Sequence, residues 1–251
     1  MFTKVKTSEE VIAIKQSGKI LAHILNILSQ KISVGMSTKD LAEIAKSELK
    51  STGGTPSFLG YYGFPDVLCV SINDEVVHGI PRKSKVINDG DIVSLDFGVT
   101  FDSMITDAAI TLIVGDNTNI QHKKLVNNTY NSLMAGINVV KDKVKVGSIS
   151  SAVEKALSLN NYGIVKDLVG HGVGHELHED PNIPNYGRSN VGPILHKGMT
   201  IAIEPMATLG TYKVVTDSDG WTIRTADRSM AAHFEHTVLI TEQGSEVLTK
   251  L

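Results

Sequence analysis

The densest group of side chains that could do chemistry lies in the segment GHGVGHELHED, residues 170–180, which holds three histidines and three acids. His175 and Glu176 begin the zinc-protease pattern H-E-x-x-H, but Glu179 stands where its second histidine should be. The glycines at positions 170, 172 and 174 also disfavour a helix, since each costs about 1 kcal/mol relative to alanine. If this segment binds a metal, it therefore does so from a loop or strand, with further ligands from elsewhere in the chain.

Two aspartates lie in neighbouring apolar runs, DIVSLDFGV and SMITDAAITLIVG, which have the β-branched, partly alternating pattern of strands. A hairpin that turns at Phe101-Asp102 would place Asp96 directly opposite Asp107, with both carboxylates on one face of the sheet. Two like charges that face each other in a half-buried sheet are destabilising. This pair therefore requires a cation between its members.

Two glutamates are also charged residues within predicted strands that otherwise look buried. Glu204 interrupts MTIAIEPMA, and Glu235 interrupts AAHFEHTVLI. An unpaired buried charge is very unfavourable, and the nearest basic residues, such as Arg224 and Arg228, precede the last strand. Four acids and a histidine that converge on one sheet are best neutralised by a divalent metal, for which Mn, Fe, Co and Zn are all suitable.

The elements that must position these residues alternate between helices and strands in two rounds. Thr7 and Glu10 form a capping box before a long amphipathic helix, and Ser37 caps a second helix. Strand patterns follow, then two helices indicated by IQHKKLVNNTYNSLMAGINVV and SISSAVEKALSLNNYG, and then strands again. This order predicts an α+β fold in one domain, with two similar halves, roughly 1–117 and 118–251, that share a sheet.

Composition limits the class of protein. Of the 251 residues, 41% are hydrophobic and 20% are charged, which is typical of a soluble globular protein with a sizeable core. A net charge of −3 gives no indication of a nucleic-acid or membrane partner, and no apolar run approaches the ~20 residues that span a bilayer. The single cysteine, Cys69, excludes an internal disulfide. We therefore expect a cytoplasmic protein.

The set Asp96, Asp107, His171, Glu204 and Glu235, with the loop GHGVGHELHEDPNIPNY, closely resembles the type I, bacterial-type methionine aminopeptidases. The spacing of all five residues matches that family, and the resemblance covers essentially the whole chain. It implies the pita-bread fold, a curved antiparallel β-sheet covered by helices with internal pseudo-twofold symmetry, as one catalytic metallopeptidase domain over 1–251. It further implies removal of the initiator methionine from nascent proteins, with preference for a small second residue.

The resemblance also implies two divalent metal ions bridged by water or hydroxide. Asp96 would bind one ion, and His171 with Glu204 would bind the other. Asp107 and Glu235 would bridge the pair. Glu204 would in addition act as the general base that takes a proton from the attacking water.

Two further histidines match residues that act on the substrate in that family. His78, in EVVHGIP, and His178 would contact the scissile amide and stabilise the tetrahedral intermediate. The side chain of methionine would lie in a pocket lined by Tyr61, Phe64, Cys69 and Trp221. Five further histidines are interpreted as structural, and these are His122, His175, His196, His233 and His236. Two of them, His233 and His236, flank Glu235 and could support the metal ligands.

Five positions depart from the usual pattern of the family. Gly98 stands where threonine is common, Thr106 where glycine is common, and Leu168 where an aromatic residue or Met is common. His175-Glu176 replaces a frequent Arg-Gly pair. None of these departures removes a ligand, but they bear on the shape of the loops and on the preference for the second residue.

Two other functions stay open at this stage. A proline-directed peptidase such as aminopeptidase P or prolidase shares the fold and the ligands, but those chains usually carry a large additional N-terminal domain. Here the first predicted strands begin near residue 66. A non-catalytic pita-bread binding protein is the other alternative, although such relatives typically lose metal ligands and all five are present. A monomer is expected, and the sequence leaves open which metal binds and whether the protein contacts the ribosome.

Overall fold

A computed structural model of the chain describes residues 4–117 and 119–250. Residues 1–3, 118 and 251, which the predicted domain and its halves include, lie outside the described residues. All of the predicted helices are present, and they are α1 (Ser8–Lys31), α2 (Thr38–Leu49), α3 (Ile120–Asn138) and α4 (Val146–Ser158).

The first two helices begin at capping boxes. The side chain of Thr7 accepts a hydrogen bond from the backbone N–H of Glu10, whose carboxylate accepts one from the backbone N–H of Thr7. Ser37 and Asp40 form the same reciprocal pair before α2. Each box satisfies backbone N–H groups that helix geometry leaves without a partner, which fixes where the helix starts.

The strands are short, apart from one long hairpin formed by β4 and β5. In chain order they are β1 (Thr55–Pro56), β2 (Cys69–Ile72), β3 (Glu75–Val77), β4 (Ile92–Phe101), β5 (Met104–Ile113), β6 (Gly163–Ile164), β7 (Gly170–Gly172), β8 (Glu179–Ile183), β9 (Thr200–Ile203), β10 (Met206–Thr208), β11 (Val214–Thr216), β12 (Ile223–Thr225), β13 (Ala231–His233), β14 (Glu235–Ile240) and β15 (Ser245–Val247).

The main sheet joins the two halves of the chain. Its strand order is β1-β4-β5-β14-β9-β7-β8, with β2 added to β4 and β15 added to β14, and every pairing is antiparallel. The β5-β14 pairing connects the hairpin that follows α1 and α2 to the strands that follow α3 and α4. The smaller sheets β13-β10-β6 and β11-β12-β3 complete the described strands. The predicted α+β fold, with a sheet shared by the two parts of the chain, is confirmed.

Alternation along the strands separates a helix side from an open side of the sheet. In β4, Leu95 and Phe97 pack in a core with residues of α1 and α2, so Asp96 between them faces the other way. In β14, Val238 packs in a core with residues of α3 and α4, and Glu235 lies on the opposite face. The helices therefore cover one face, and the predicted acids emerge on the other.

Helix α1 is long and apolar enough to cross a membrane by length and composition alone. However, 56% of its most apolar window is buried inside the protein. Leu21 and Ile24, both fully buried, belong to the same core as Leu95 of β4. The apolar face of α1 is therefore accounted for by its packing on the sheet.

The turn of the β4-β5 hairpin differs from the predicted one. Phe101 pairs with Met104, so the two turn residues are Asp102 and Ser103. Their φ angles are 45° and 62°. A two-residue type I′ turn requires positive φ at both central residues, and such turns match the twist of the two strands. The predicted turn at Phe101-Asp102 is therefore wrong by one residue.

This change also corrects the pairing of the two aspartates. Asp96 pairs with Ala109, and Asp107 pairs with Gly98, so the predicted direct opposition of the two carboxylates is wrong. Moving the turn by one residue moves each pairing by two positions, and residues two apart lie on the same face of a strand. Asp96 and Asp107 therefore share a face as predicted, but as diagonal neighbours.

Ser103 offers a test of the turn, because its positive φ is unfavourable for a residue with a Cβ atom and its side chain is exposed. We expect Ser103→Gly to raise the free energy of unfolding by about 0.5–1 kcal/mol. The thermal midpoint should rise by about 1–4 °C, as measured by differential scanning calorimetry. Ser103→Ala is the matched control and should give no increase. A destabilised Ser103→Gly variant would argue against this turn.

Candidate active site

A cavity of about 270 Å³ on the open face of the sheet brings the predicted site residues together. Its walls contain every residue predicted to bind metal, act in catalysis or bind substrate, namely Tyr61, Phe64, Cys69, His78, Asp96, Asp107, His171, His178, Glu204, Trp221 and Glu235. Sequence analysis did not assign the other residues of the walls to the site, and these are Phe58, Tyr62, Val77, Leu177 and His233.

Neighbouring strands position the carboxylates. Asp96 on β4 and Glu235 on β14 both pair with Ala109 of β5, so these three residues form a row across three strands. The methyl side chain of Ala109 leaves the space between the two carboxylates open. His236 pairs with Ile203, so the same antiparallel register places Glu204 opposite Glu235.

His171 is held in the form that can bind a metal ion. Its Nδ1 lies 2.9 Å from the carbonyl oxygen of Gly172, which can only accept, so Nδ1–H donates this hydrogen bond. The lone pair of Nε2 is then free to face the cavity, where it lies 3.4 Å from Oε1 of Glu204. A backbone carbonyl that fixes the tautomer in this way is usual for metal-binding histidines.

The carboxylates resist ionisation in the absence of a cation. Burial raises the pKa of Asp96 to about 7. Burial, reinforced by the neighbouring acids, raises the pKa values of the other three well above their ordinary values. These three are Asp107, Glu204 and Glu235. The site as a whole therefore favours any ligand that supplies positive charge.

The donor atoms fit a divalent metal. Ligand atoms of Asp107, His171 and Glu235 all lie within 4.8 Å of one another. Among the described residues, Asp96 Oδ1, Asp107 Oδ1 and Glu235 Oε1 are buried without any hydrogen-bond partner. Buried oxygens of this kind are normally paired or bound to metal, so their orphaned state is explained by a cation between them.

Two more imidazoles stand beside the acids. Burial, together with the nearby His178, lowers the pKa of His78 to about 4, and burial also lowers the pKa of His178. Both rings are therefore neutral near pH 7. The ring of His178 lies 4.3 Å from that of His171 and 5.3 Å from that of Tyr61, measured between centroids. The ring of His78 lies 6.4 Å from Trp221.

An apolar pocket adjoins the acids directly. Phe58, Phe64, Cys69 and Leu177 form a buried cluster, against which Tyr61 and Trp221 pack. Cys69 pairs with Asp96 across β2 and β4, so the pocket begins at the first carboxylate. Burial and the neighbouring Asp96 raise the pKa of the Cys69 thiol well above its ordinary value. A thiol that stays protonated is a pocket wall and a poor nucleophile.

The structure gives a physical reason for one departure from the family pattern. A Cβ atom added at Gly98 would come within 2.6 Å of Cε1 of Phe58, closer than real Cβ contacts allow. Phe58 therefore occupies the space that a larger residue would take at position 98. Since Phe58 lines the cavity, Gly98 and Phe58 shape the apolar pocket together.

The other departures lie around the cavity. Thr106 is buried and shares a hydrogen bond of 2.8 Å with the hydroxyl of Ser17 on α1. Leu168 packs against a small apolar cluster that contains Val76 and Met206. His175 Nε2 lies 2.8 Å from Oε1 of Glu10, which connects the loop before His178 to the start of α1. His175 is absent from the cavity wall, as predicted.

His233 belongs to the cavity, although the sequence favoured a structural role. It is 2% exposed, and neither ring nitrogen has a hydrogen-bond partner in the described part of the chain. Its Nε2 lies 3.8 Å from Oε2 of Glu204 and 3.9 Å from Oε2 of Glu235. Its position at the end of β13, two residues before the ligand Glu235 at the start of β14, is the sequence signal that could have assigned it to the site.

Similarity to known proteins defines the class of this site. Residues 12–242 match metallopeptidase family M24. The chain belongs to this family, which implies the use of a divalent metal. The methionine aminopeptidase of Clostridium perfringens is 43% identical over 244 residues, which cover 97% of each chain.

Solved structures agree with this assignment. The crystal structure of a methionine aminopeptidase from Thermotoga maritima has a TM-score of 0.98 and 43% identity, and the match covers 100% of both chains. A prolidase from Pyrococcus furiosus has a TM-score of 0.80 at 24% identity, and the match covers 99% of this chain and 66% of that one. The second similarity shows the fold alone. The pita-bread fold expected from the sequence is confirmed.

The raised pKa values of the buried acids predict how the stability of the metal-free protein depends on pH. Glu235 has a raised pKa, chiefly through burial and then through Glu204, so the folded state binds its proton more tightly than the unfolded state does. The free energy of unfolding must then fall as pH rises above the ordinary range of glutamate. We expect Glu235→Gln to make the chelated protein more stable at pH 7.5 by about 1–3 kcal/mol.

The measurement is the thermal midpoint after chelation, between pH 6 and 8. Glu235→Gln should show a smaller decline with rising pH than the unmodified protein. The control is Glu242→Gln, because the Glu242 side chain is 76% exposed and should leave the pH dependence unchanged. A metal-free Glu235→Gln protein that is less stable at pH 7.5 would contradict this account.

Proposed function

We propose that this protein removes the initiator methionine from nascent proteins by hydrolysing the first peptide bond. The observation that carries this proposal is an apolar pocket of aromatic side chains that adjoins a cluster of four acids and a neutral imidazole. The full-length relatives named as methionine aminopeptidases support the same reaction. A single sheet connects strands from both parts of the chain, which supports one catalytic domain over the predicted range 1–251.

Two divalent ions would be held by the predicted ligands, Asp96, Asp107, His171, Glu204 and Glu235. Four carboxylates carry four negative charges when ionised, which two dications would balance. The neutral tautomer of His171 fits a ligand role. When bound, such ions lower the pKa of a bound water and polarise a carbonyl group. Mn, Fe, Co and Zn all suit this mixture of oxygen and nitrogen donors.

The protein's own residues would carry the proton and stabilise charge. Glu204 takes the proton of the attacking water and passes it to the leaving amine, a role that suits a carboxylate with a raised pKa. The neutral imidazoles of His78 and His178 donate hydrogen bonds to the scissile amide and to the negative charge that develops on its oxygen.

The pocket residues would select the first side chain of the substrate. Phe64, Cys69 and Trp221 offer an apolar, polarisable surface that suits the flexible thioether of methionine. Tyr61 closes the same pocket on the side of His178. The second residue of the substrate would be small, as the resemblance of the sequence to the type I methionine aminopeptidases implies.

A proline-directed aminopeptidase is the second candidate. The observation that favours it is the structural similarity to a prolidase, although at 24% identity this similarity concerns only the fold. A non-catalytic binding protein is disfavoured because every predicted metal ligand lines the cavity. Three of them, Asp96, Asp107 and Glu235, each have a buried oxygen without a hydrogen-bond partner among the described residues.

The cellular setting forms part of the proposal. We infer a cytoplasmic monomer that acts on the N-terminal peptides of new chains. A lone buried cysteine is in keeping with a reducing compartment. Contact with the ribosome would bring the enzyme to its substrate, and no direct contact with nucleic acid or membrane is required.

Hydrolysis of the peptide Met-Ala-Ser tests the proposed function. The chelated protein should be inactive, and adding back single divalent metals should restore cleavage and rank them. Met-Lys-Ser should be cleaved poorly because its second residue is large. Ala-Pro-Ser distinguishes the second candidate, since its cleavage in place of Met-Ala-Ser would reassign the protein to the proline-directed peptidases. Full activity after complete removal of metal would refute the metal-dependent mechanism.

A further inference from the structure

We propose that Tyr61 is a positioning residue that fixes the tautomer of His178, in addition to forming the pocket wall. The hydroxyl oxygen of Tyr61 lies 2.8 Å from Nδ1 of His178. By donating its proton to Nδ1, Tyr61 leaves the ring proton of His178 on Nε2. This inference rests on the proposed role of His178 as a hydrogen-bond donor to the substrate.

The direction of this hydrogen bond follows from the chemistry of the two groups. A neutral imidazole has one protonated nitrogen and one nitrogen with a lone pair, and the lone pair is a strong acceptor. Burial raises the pKa of Tyr61, so its hydroxyl is protonated and available to donate. Donation from the phenol to Nδ1 is therefore the natural arrangement, and it requires the proton of His178 to be on Nε2.

The ring nitrogen that carries the proton in this tautomer is the one available to the cavity. His178 lines the cavity, and its ring packs against that of His171. Since Tyr61 occupies Nδ1, Nε2 is the ring nitrogen left to interact with the cavity. The hydrogen bond from the phenol thus leaves an N–H donor available to a substrate in the cavity.

Tyr61 is itself held firmly enough to act on another side chain. It begins a single turn of 3₁₀ helix, Tyr61–Gly63, whose ends are tied by backbone hydrogen bonds from Tyr61 to Phe58 and from Phe64 to Tyr61. Gly60 precedes this turn with a φ of 85°, a conformation that favours glycine. Phe58 and Phe64 are buried, so the turn is anchored on both sides in the apolar pocket.

This arrangement matters because His178 is at the exposed rim of the cavity. Water can donate to or accept from either ring nitrogen, so solvent alone does not select one tautomer. Tyr61 supplies that selection. It also joins two functions, because one side chain contacts the proposed methionine pocket and orients the proposed catalytic histidine. Recognition of the first residue and stabilisation of the transition state are therefore coupled through Tyr61.

Nitrogen NMR of histidine-labelled protein tests the tautomer directly, because the ¹⁵N shifts of Nδ1 and Nε2 differ between a protonated nitrogen and one with a lone pair. The zinc-loaded protein at pH 7.5 is suitable, since Zn²⁺ is diamagnetic. We expect the unmodified protein to show His178 in the Nε2–H form. In Tyr61→Phe, which keeps the aromatic ring, a population of the Nδ1–H form should appear.

Tyr212→Phe is the matched control. The Tyr212 side chain is 43% exposed and does not line the cavity, so this variant removes a tyrosine hydroxyl far from His178. We expect Tyr212→Phe to leave both the tautomer and kcat unchanged. In Tyr61→Phe, kcat for Met-Ala-Ser should fall by about 10- to 100-fold while KM changes less than about twofold. Thermal midpoints of both variants establish that they are folded.

The results separate this inference from the proposed function. An Nδ1–H tautomer in the unmodified protein would overturn the inference, as would a Tyr61→Phe protein with unaltered tautomer and kcat. Inactivity of the unmodified protein on Met-Ala-Ser with every metal would instead refute the proposed function. In that case the NMR spectra would still decide whether Tyr61 sets the tautomer of His178.

Discussion

The constraint on which the rest of the structure depends is the placement of four carboxylates side by side in a region shielded from water. Burial raises the pKa of each, and repulsion by neighbouring acids adds to that effect at Asp107, Glu204 and Glu235. Such a group cannot be held together by its own interactions, so the scaffold must hold it. A sheet that connects both halves of the chain, backed by four helices, supplies that rigidity.

The alternation of side chains along the strands lets one sheet both anchor the helices and form the site. The residues that anchor the helices and the residues that form the site follow each other along the same strands, as Leu95, Asp96 and Phe97 show in β4. Asp96 is thus flanked by apolar neighbours that are locked in the core. The carboxylates cannot relax away from one another without disturbing helix packing, which keeps the site ready for a cation.

The same burial raises the pKa values of the acids and lowers those of the histidines, and both changes suit the site. It raises the pKa of Glu204, which suits a proton acceptor, and lowers that of His78 to about 4, which keeps a neutral donor at physiological pH. Tyr61 and the carbonyl of Gly172 then assign the protons of two other imidazoles. Desolvation sets the protonation states of the acids and histidines, and individual hydrogen bonds decide which ring nitrogen of a histidine carries the proton.

The sequence by itself determined the helices, through capping boxes such as Thr7 with Glu10, and the faces of the strands, through their two-residue period. That period also revealed the acids, because a charge in an apolar strand stands out from its neighbours. It could not reveal the hairpin register, since a shift of two positions leaves every residue on the same face. The turn at Asp102 and Ser103 requires positive φ angles at both residues. Asp and Ser can adopt such angles but do not require them, so their presence in the sequence does not identify the turn.

Contacts between distant segments were decided only by the tertiary structure. Three contacts join residues that are far apart in sequence. They are the packing of Phe58 against Gly98, the hydrogen bond between Tyr61 and His178, and the approach of His233 to Glu204. Local patterns report which way a side chain faces. Which partner it meets depends on how whole elements pack, because that packing is settled by the sum of many small contacts across the fold.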